Sequence, residues 1–487
     1  MTNPTNAVIS WPLSKRIGFL AGPLLCIAIL VLPITLINSE IDRVIAVAAW
    51  MIVWWITEAV NISITALLPL ALFPLLAIDT IKGVASNYAN PIVYLFFGGF
   101  VIALALEKVQ LHKRIALSIL KITGTKANGI ILGFMIATAL MSMWISNTAS
   151  TVVMLPIAVS VIQLLIDDED GFSKNDRNFA LSIMLGIAFS ANIGGMATLI
   201  GTPPNSVMLA FLNETYNIDI GFFQWMKMGV PLAIIMLAIA YWMITRVFFR
   251  NRLGRIGKSA SIIQQELDKL GRMSRGEKIV LVIFLVTAIA WMFRSYLNSL
   301  FPNITLTDTT ISVIAALLMF IVPLDFKSGQ FPLDWKDTSR LPWGILILFG
   351  GGLALASGLA QSGFIDLIGE YISSQSTWSV AIITLVLIFL MLFMTELMSN
   401  VALVTILIPL VVGIAIGLDK PMLQLVIPVT LASSCAFMLP MATPPNAIVF
   451  ASGHVRVDQM ARIGIVLNLI AVAILFGLAY WVVPVLF

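Results

Sequence analysis

The sequence predicts an all-α polytopic membrane protein that contains an inverted repeat. Of its 487 residues, 60% are hydrophobic and only 11% are charged, whereas soluble domains carry about 25% charged residues. Uncharged runs long enough to cross a bilayer, which takes about 20 apolar residues, recur along the whole chain. Three short motifs also occur twice in the same order. Together these observations predict about 11 transmembrane helices and two re-entrant hairpins.

The first predicted transmembrane helix is the run 17–37. Its 21 uncharged residues are too many for the core of a signal peptide, so we expect the segment to be retained. Further spans are predicted at 44–60, 62–78, 91–106, 178–212, 222–245, 279–298, 308–324, 341–358, 421–453 and 463–487.

Two other uncharged runs are too long for a single crossing. The first is 127–166, with Ser146 at its middle; the second is 378–418, with Ser399 at its middle and Glu396 as its one charged residue. Each run predicts a re-entrant hairpin, in which two helical arms meet at a polar tip.

The repeat is visible in three motifs. Phe-Gly-Gly occurs at 97–99 and 349–351, Ser-Asn at 146–147 and 399–400, and Thr-Pro-Pro-Asn at 202–205 and 443–446. Five predicted crossings separate the two hairpins, and an odd number inverts the second copy relative to the first. An inverted repeat of this kind is typical of secondary transporters.

Charge sets the predicted topology. The segment 246–278 carries nine basic residues against three acidic ones, as expected for a cytoplasmic loop. We therefore attribute the net charge of +4 to basic residues that set the membrane topology and contact the lipid bilayer, and not to a nucleic-acid-binding surface. The loops place the N-terminus in the cytoplasm and the C-terminus outside the cell membrane.

Cysteine and histidine are scarce. Cys26 and Cys435 both lie in apolar runs, and His112 and His454 are the only histidines. A disulfide framework, a metal cluster and a histidine-based enzyme are therefore disfavoured, and no cofactor is expected.

The Thr-Pro-Pro-Asn motifs predict broken helices, because two successive prolines remove two N–H donors. Irregular backbone at membrane depth is tolerated where it lines a cavity, and there its carbonyls can bind a cation while helix N-termini face an anion. No Lys or Arg falls in the hairpins or in these broken segments. Alone, Ser-Asn could mark a tight loop and Pro-Pro a kink, but matched copies of both favour a binding site. For Glu396, a supporting role is preferred over that of a proton carrier.

At these motifs the chain resembles the divalent anion/sodium symporter (DASS) family of di- and tricarboxylate transporters. The stretches "ISNTAST", "GTPPNSV", "TELMSNVA" and "FMLPMATPPNAIVFASGH" carry the resemblance, which covers essentially the whole chain. It implies a homodimer with a scaffold part, a moving transport part and elevator-type alternating access.

The resemblance also implies site residues. Those expected to bind the substrate carboxylates are Ser146, Asn147, Thr148, Thr202, Ser399, Asn400 and Thr443. A first Na⁺ site would use Ser142, Ser146, Asn147 and the carbonyl of Gly201, and a second would use Thr395, Met398, Asn400 and the carbonyl of Ala442. Two positions depart from the pattern: Val401 replaces a hydroxyl residue, and Met398 is bulky where small residues are common.

We expect four parts in the chain. They are scaffold helices with an interfacial segment (1–126), a first transport half (127–246), a basic loop with further scaffold helices (247–377) and a second transport half (378–487). The expected function is secondary transport of succinate, malate, fumarate, 2-oxoglutarate and related acids such as citrate, coupled to Na⁺. Sodium-independent exchange is the alternative within this class. A passive anion channel is the alternative outside it, and an enzyme is disfavoured because no catalytic constellation is visible.

Overall fold

The computed structural model describes residues 11–31, 38–166, 173–256, 259–301, 303, 305–327, 329–375 and 379–487. Within these ranges every regular element is a helix, apart from two isolated β-bridges. Three predicted features lie partly outside the described residues: the end of the span 17–37, Lys258 of the basic loop, and residue 378 of the second hairpin. The all-α prediction is confirmed.

The first half of the chain contains the hairpin and the broken helix of the first copy. Its helices are α1 (Leu13–Val31), α2 (Ser39–Thr57), α3 (Ile62–Thr65), α4 (Leu68–Leu75), α5 (Ile81–Tyr88), α6 (Pro91–Lys108), α7 (Leu111–Thr123), α8 (Ala127–Ser142), α9 (Asn147–Ile166), α10 (Lys174–Gly195), α11 (Pro203–Tyr216) and α12 (Phe222–Trp242), followed by a π-helical turn, Met243–Phe248.

The second half contains the corresponding elements of the second copy. Its helices are α13 (Ser259–Leu270), α14 (Arg275–Met292), α15 (Arg294–Leu300), α16 (Asp308–Ile321), a 3₁₀ helix (Trp335–Arg340), α17 (Trp343–Gln361), α18 (Phe364–Gln375), α19 (Val380–Met394), α20 (Asn400–Gly417), α21 (Met422–Ala432), α22 (Pro444–Ala451), α23 (Val457–Trp481) and α24 (Val483–Leu486).

Seven helical stretches of the described chain are long and apolar enough to cross a membrane, or eight if α14 and α15, bent by 77°, form one span. The predicted spans 62–78, 178–212, 279–298 and 421–453 are not single helices. The span 62–78 contains the short helices α3 and α4, and the span 279–298 bends between α14 and α15. The spans 178–212 and 421–453 are interrupted before Pro203 and Pro444. The Pro-Pro pairs account for those interruptions. The total of about 11 crossings stays a prediction.

Both long uncharged runs form helical hairpins. α8 and α9 are joined by a turn at 143–146, and α19 and α20 by a turn at 395–399. The first arms are short, with 16 residues in α8 and 15 in α19. At 1.5 Å per residue each is about 24 Å long or less, which falls short of the roughly 30 Å hydrocarbon core. This length suits helices that enter the membrane and turn back.

The glycine motifs allow close helix packing. A Cβ added at Gly98 of α6 would lie 2.6 Å from the carbonyl oxygen of Ser312 on α16, and one at Gly351 of α17 would lie 2.1 Å from that of Ala66. Gly464 of α23 packs in the same way on the broken segment of the second copy, where its Cβ would lie 2.3 Å from the Phe437 carbonyl oxygen. The segments around the site are thus held by backbone-to-backbone contact.

We expect Gly464→Ala to destabilise the protein, because the added methyl group must displace the Phe437 backbone. Overpacking of this kind costs about 1–3 kcal/mol. Thermal unfolding in detergent measures the effect. Gly254→Ala is the control, since no atom lies within 4 Å of a Cβ built there. Equal melting temperatures for the two variants would contradict the packing argument.

Candidate functional site

Both hairpin tips and both broken helices face one cavity. Its volume is about 920 Å³, and its lining includes all seven residues predicted to bind substrate: Ser146, Asn147, Thr148, Thr202, Ser399, Asn400 and Thr443. The opposite wall is formed largely by apolar side chains, among them Trp55, Phe100 and Ile345. The structure therefore brings the predicted residues together, and their role in binding stays a prediction.

The predicted sodium ligands divide into two groups. Ser146, Asn147, Gly201, Met398, Asn400 and Ala442 line the cavity. Ser142 and Thr395 do not; each is fully buried behind a hairpin tip. Both nevertheless contact the asparagine of their own tip, so each predicted set remains spatially connected.

These contacts form the same cluster of oxygens twice. The Ser142 hydroxyl lies 2.6 Å from Asn147 Oδ1 and 2.6 Å from the Ala191 carbonyl oxygen. In the second copy, the Thr395 hydroxyl lies 2.6 Å from Asn400 Oδ1 and 2.7 Å from the Ser433 carbonyl oxygen. We call each set of three oxygens an oxygen triad.

Each triad contains three oxygen atoms but only one hydrogen atom, that of the hydroxyl group, to form bonds between them. A hydroxyl group has one hydrogen, so it can donate to the amide oxygen or to the carbonyl but not to both. The remaining oxygen–oxygen contact is relieved either by rotating the amide or by a cation among the three atoms. Hard cations prefer such oxygen ligands, so the two triads fit Na⁺ in chemistry.

Gly195 packs directly against the amide of the first triad. A Cβ built at this residue would lie 2.6 Å from Asn147 Oδ1 and 3.2 Å from the Gly201 carbonyl oxygen. Any side chain at this position would therefore push the Asn147 amide away from the triad. Gly195 was not among the predicted site residues, and the sequence offered no sign of it beyond its place before the Thr-Pro-Pro-Asn motif.

The asparagine of each Thr-Pro-Pro-Asn motif holds the break in its helix. Asn205 Nδ2 donates to the Thr198 carbonyl at 3.0 Å, and Asn446 Nδ2 donates to the carbonyls of Leu439 at 3.1 Å and Ala436 at 3.0 Å. Both side chains are fully buried. These bonds satisfy carbonyls that the interrupted helix leaves free, and they explain why the motif ends in asparagine.

Four helices begin at the cavity wall. Their first residues are Asn147 of α9, Pro203 of α11, Asn400 of α20 and Pro444 of α22. Each helix N-terminus carries the equivalent of roughly +0.5 elementary charge. Prolines supply no N–H, so Thr202 and Thr443, which precede them, present hydroxyls instead. The arrangement can stabilise an anion without a basic side chain at the tips.

Glu396 supports the second broken helix. Its Oε1 accepts hydrogen bonds from Phe437 N at 2.8 Å, Met438 N at 2.9 Å and Asn468 Nδ2 at 2.7 Å, and its Oε2 accepts one from Leu439 N at 3.0 Å. The carboxyl group is thus surrounded by donors, and the residue as a whole is only 3% exposed. This environment favours the supporting role over that of a proton carrier.

Asn192 connects the two copies. Its Nδ2 donates to Thr443 Oγ1 at 3.1 Å and to the Ala436 carbonyl at 3.2 Å, although it lies on α10 of the first copy. Sequence reasoning missed both Asn192 and Asn468. The only signal in the sequence was an amide side chain within an apolar run.

We expect Glu396→Gln to lower the thermal stability of the protein, because the amide turns an N–H group toward backbone donors. The loss of hydrogen bonds to a charged group costs about 1.5–3 kcal/mol each. Thermal unfolding in detergent gives the measurement, with Glu370→Gln, at an exposed position of α18, as the matched control. An unchanged melting temperature for Glu396→Gln would rule out the supporting role.

Known proteins resemble this chain over nearly its whole length. The family model for the transmembrane region of sodium:sulfate symporters matches residues 14–487. The sodium-dependent dicarboxylate transporter SdcS of Staphylococcus saprophyticus is 36% identical over 481 residues, covering 98% of this chain and 92% of that protein. SdcS of Staphylococcus aureus strain USA300 is 38% identical over 477 residues, covering 97% and 92%.

Two solved structures share the fold at low identity. The MtrF antimetabolite efflux pump of Neisseria gonorrhoeae aligns with a TM-score of 0.56 at 10% identity, covering 84% of this chain and 85% of that one. The YdaH transporter of Alcanivorax borkumensis aligns with a TM-score of 0.53 at 11% identity, covering 81% and 86%. The predicted family is confirmed: the chain belongs to the sodium:sulfate symporter family and is a multi-pass membrane transporter, not an enzyme.

Proposed function

We propose that this protein is a secondary carrier that moves C4-dicarboxylates together with Na⁺. The observation that carries the proposal is the cavity between the hairpin tips, where four helix N-termini and two Ser-Asn pairs meet. The names of the Staphylococcus relatives, sodium-dependent dicarboxylate transporters, support it.

The two copies would hold the two ends of one substrate. Ser146, Asn147, Thr148 and Thr202 would bind one carboxylate, and Ser399, Asn400 and Thr443 would bind the other. A site made of two similar polar clusters suits succinate, malate or fumarate, and related acids such as 2-oxoglutarate and citrate. Neutral donors can recognise a carboxylate, but they do not cancel its charge.

Sodium would supply the missing positive charge. A divalent anion that enters a pocket without basic side chains at its tips requires positive charge from another source. The oxygen triads around Asn147 and Asn400 are the proposed Na⁺ sites, joined by Ser146, Gly201, Met398 and Ala442. Met398 would contribute only its carbonyl. The intact second triad supports two sodium sites despite Val401 and Met398.

Transport would proceed by an elevator-type movement. The tips belong to 127–246 and 378–487, the proposed transport part, whereas the facing wall comes from α2, α6 and α17 of the proposed scaffold, 1–126 and 247–377. A cavity between two such parts could open to either side as one slides past the other. We propose further that the copies are inverted, that the protein is a homodimer, and that its N-terminus is cytoplasmic.

We expect Asn147→Ala and Asn400→Ala each to abolish or strongly weaken dicarboxylate binding. The loss of a hydrogen bond to a charged group costs about 1.5–3 kcal/mol, which corresponds to about a tenfold to hundredfold loss of affinity. Radiolabelled succinate binding and uptake in proteoliposomes provide the measurement. Asn87→Ala, a buried amide bonded only within α5, is the control. Transport at the wild-type level in either tip variant would remove that residue from the site.

We expect Ser142→Ala to raise the Na⁺ concentration needed for half-maximal uptake, because the variant lacks one oxygen of the first triad. Thr138→Val is the control, since Thr138 lies one turn earlier on α8 and bonds only the Phe134 carbonyl. Uptake is measured with and without internal dicarboxylate. Uptake that requires internal substrate and ignores a Na⁺ gradient would establish exchange instead of symport.

A further inference from the structure

The cavity has a basic side chain at its edge that the proposed function does not use. Among the described lining residues, Arg340 is the only Lys or Arg, and the acidic ones are Glu58 and Glu107. Arg340 ends the 3₁₀ helix just before α17, and 59% of its side chain is exposed. It therefore lies where the cavity reaches the surface, and the charge pattern predicts that this is the face of the basic loops.

The partner of Arg340 holds it loosely. Its Nη2 lies 3.6 Å from Glu107 Oε2, which is longer than a hydrogen bond. A guanidinium group has five N–H donors, so most of its donor capacity is directed elsewhere. Glu107, at the end of α6, is the more enclosed member of the pair, with 25% of its side chain exposed.

The backbone that carries Arg340 is fixed, by contrast. Lys108 Nζ lies 2.6 Å from Asp337 Oδ2 of the same 3₁₀ helix, and Trp343 Nε1 donates to the Thr338 carbonyl at 2.8 Å. These bonds attach the 3₁₀ helix to the end of α6 and the start of α17. The backbone of Arg340 is thus held in place, whereas its guanidinium group is free to change partners.

We infer that Arg340 is a transient carboxylate site at the mouth of the cavity, and that Glu107 is its resident competitor. A dicarboxylate that leaves the hairpin tips, or enters from this face, exchanges with Glu107 for the guanidinium. Arginine suits this role, because its planar fork binds carboxylates through paired hydrogen bonds. The inference rests on the proposed function for its substrate. It adds a second binding position for that substrate, at Arg340 and outside the tips, which we call the station.

Because Glu107 and the substrate compete for Arg340, substitutions of Arg340 and of Glu107 should change the KM for succinate in opposite directions. Arg340→Gln removes the station, so the KM for succinate presented to the Arg340 face should rise about two- to fivefold, as expected for a partly exposed charge pair. Glu107→Gln frees the guanidinium, so that KM should fall. Neither change should alter the KM measured from the other face. Because exposed charges are screened by salt, both effects should shrink at high ionic strength.

Inside-out and right-side-out membrane vesicles separate the two faces. Succinate is the probe, and Lys336→Gln is the matched control: it removes one positive charge from the same 3₁₀ helix, at an exposed position that does not line the cavity. Arg340→Lys keeps the charge and should recover most of the lost affinity.

Opposite KM changes in Arg340→Gln and Glu107→Gln, confined to one face, would support the station. Changes of the same sign would show that the ion pair is merely structural and would overturn the inference. An equal effect of Lys336→Gln would overturn it as well, by pointing to general surface charge. If the wild-type protein moved no dicarboxylate at all, the proposed function would fail instead, which is a distinct result.

Discussion

The geometry of the site depends on one repeated interaction, the contact of a buried hydroxyl with the asparagine of a hairpin tip. Ser142 and Thr395 each lie between the tip amide oxygen and a carbonyl near the end of the preceding half of a broken helix, α10 or α21. The tip and the broken helix are thereby joined in both copies. This link fixes the position of the hairpin-tip helices relative to the broken helices, so that their N-termini face the same cavity. The same contact concentrates oxygen atoms, so the feature that positions the anion site also creates the proposed cation sites.

A site without basic residues at its tips has a physical consequence for a carrier. A buried arginine would stay charged and would be costly to leave unpaired when the substrate departs. Helix N-termini and neutral amides carry no net charge, so the empty cavity contains no isolated cation. Under the proposed function, positive charge then accompanies the substrate as Na⁺. In this protein the basic side chain of the lining, Arg340, is kept at the surface, where water and Glu107 can satisfy it.

Much of the fold and the outline of the site could be predicted from the sequence, because the relevant signals are local. Ser-Asn within a long apolar run and Pro-Pro within a helix each determine backbone over a few residues, and their duplication reveals the repeat. The remaining features depend on distant partners. Asn192 meets Thr443 from 251 positions away, Glu396 meets Asn468 from 72 positions away, and Glu107 meets Arg340 only through packing of α6 against the 3₁₀ helix. No local pattern distinguishes these residues from other buried polar groups, and Gly195 is one of 32 glycines.

The breaks in the two broken helices are held by different kinds of hydrogen bond. In the first copy the break after α10 is held by Thr198, whose hydroxyl donates to the Met143 carbonyl at 2.6 Å, and by Trp225, whose Nε1 donates to the Met196 carbonyl at 3.1 Å. These are neutral donors acting on carbonyls. In the second copy the carboxylate of Glu396, at the position that corresponds to Met143, collects backbone N–H groups instead. Bonds to a charged acceptor are roughly twice as strong as neutral ones, so the second break is the more firmly held. The tip beside this break carries Val401 where the first copy has Thr148, so it offers one side-chain hydroxyl fewer. The proposed second sodium site would keep the Thr395 and Asn400 oxygens of its triad, and the more firmly held backbone would fix the carbonyls that complete it.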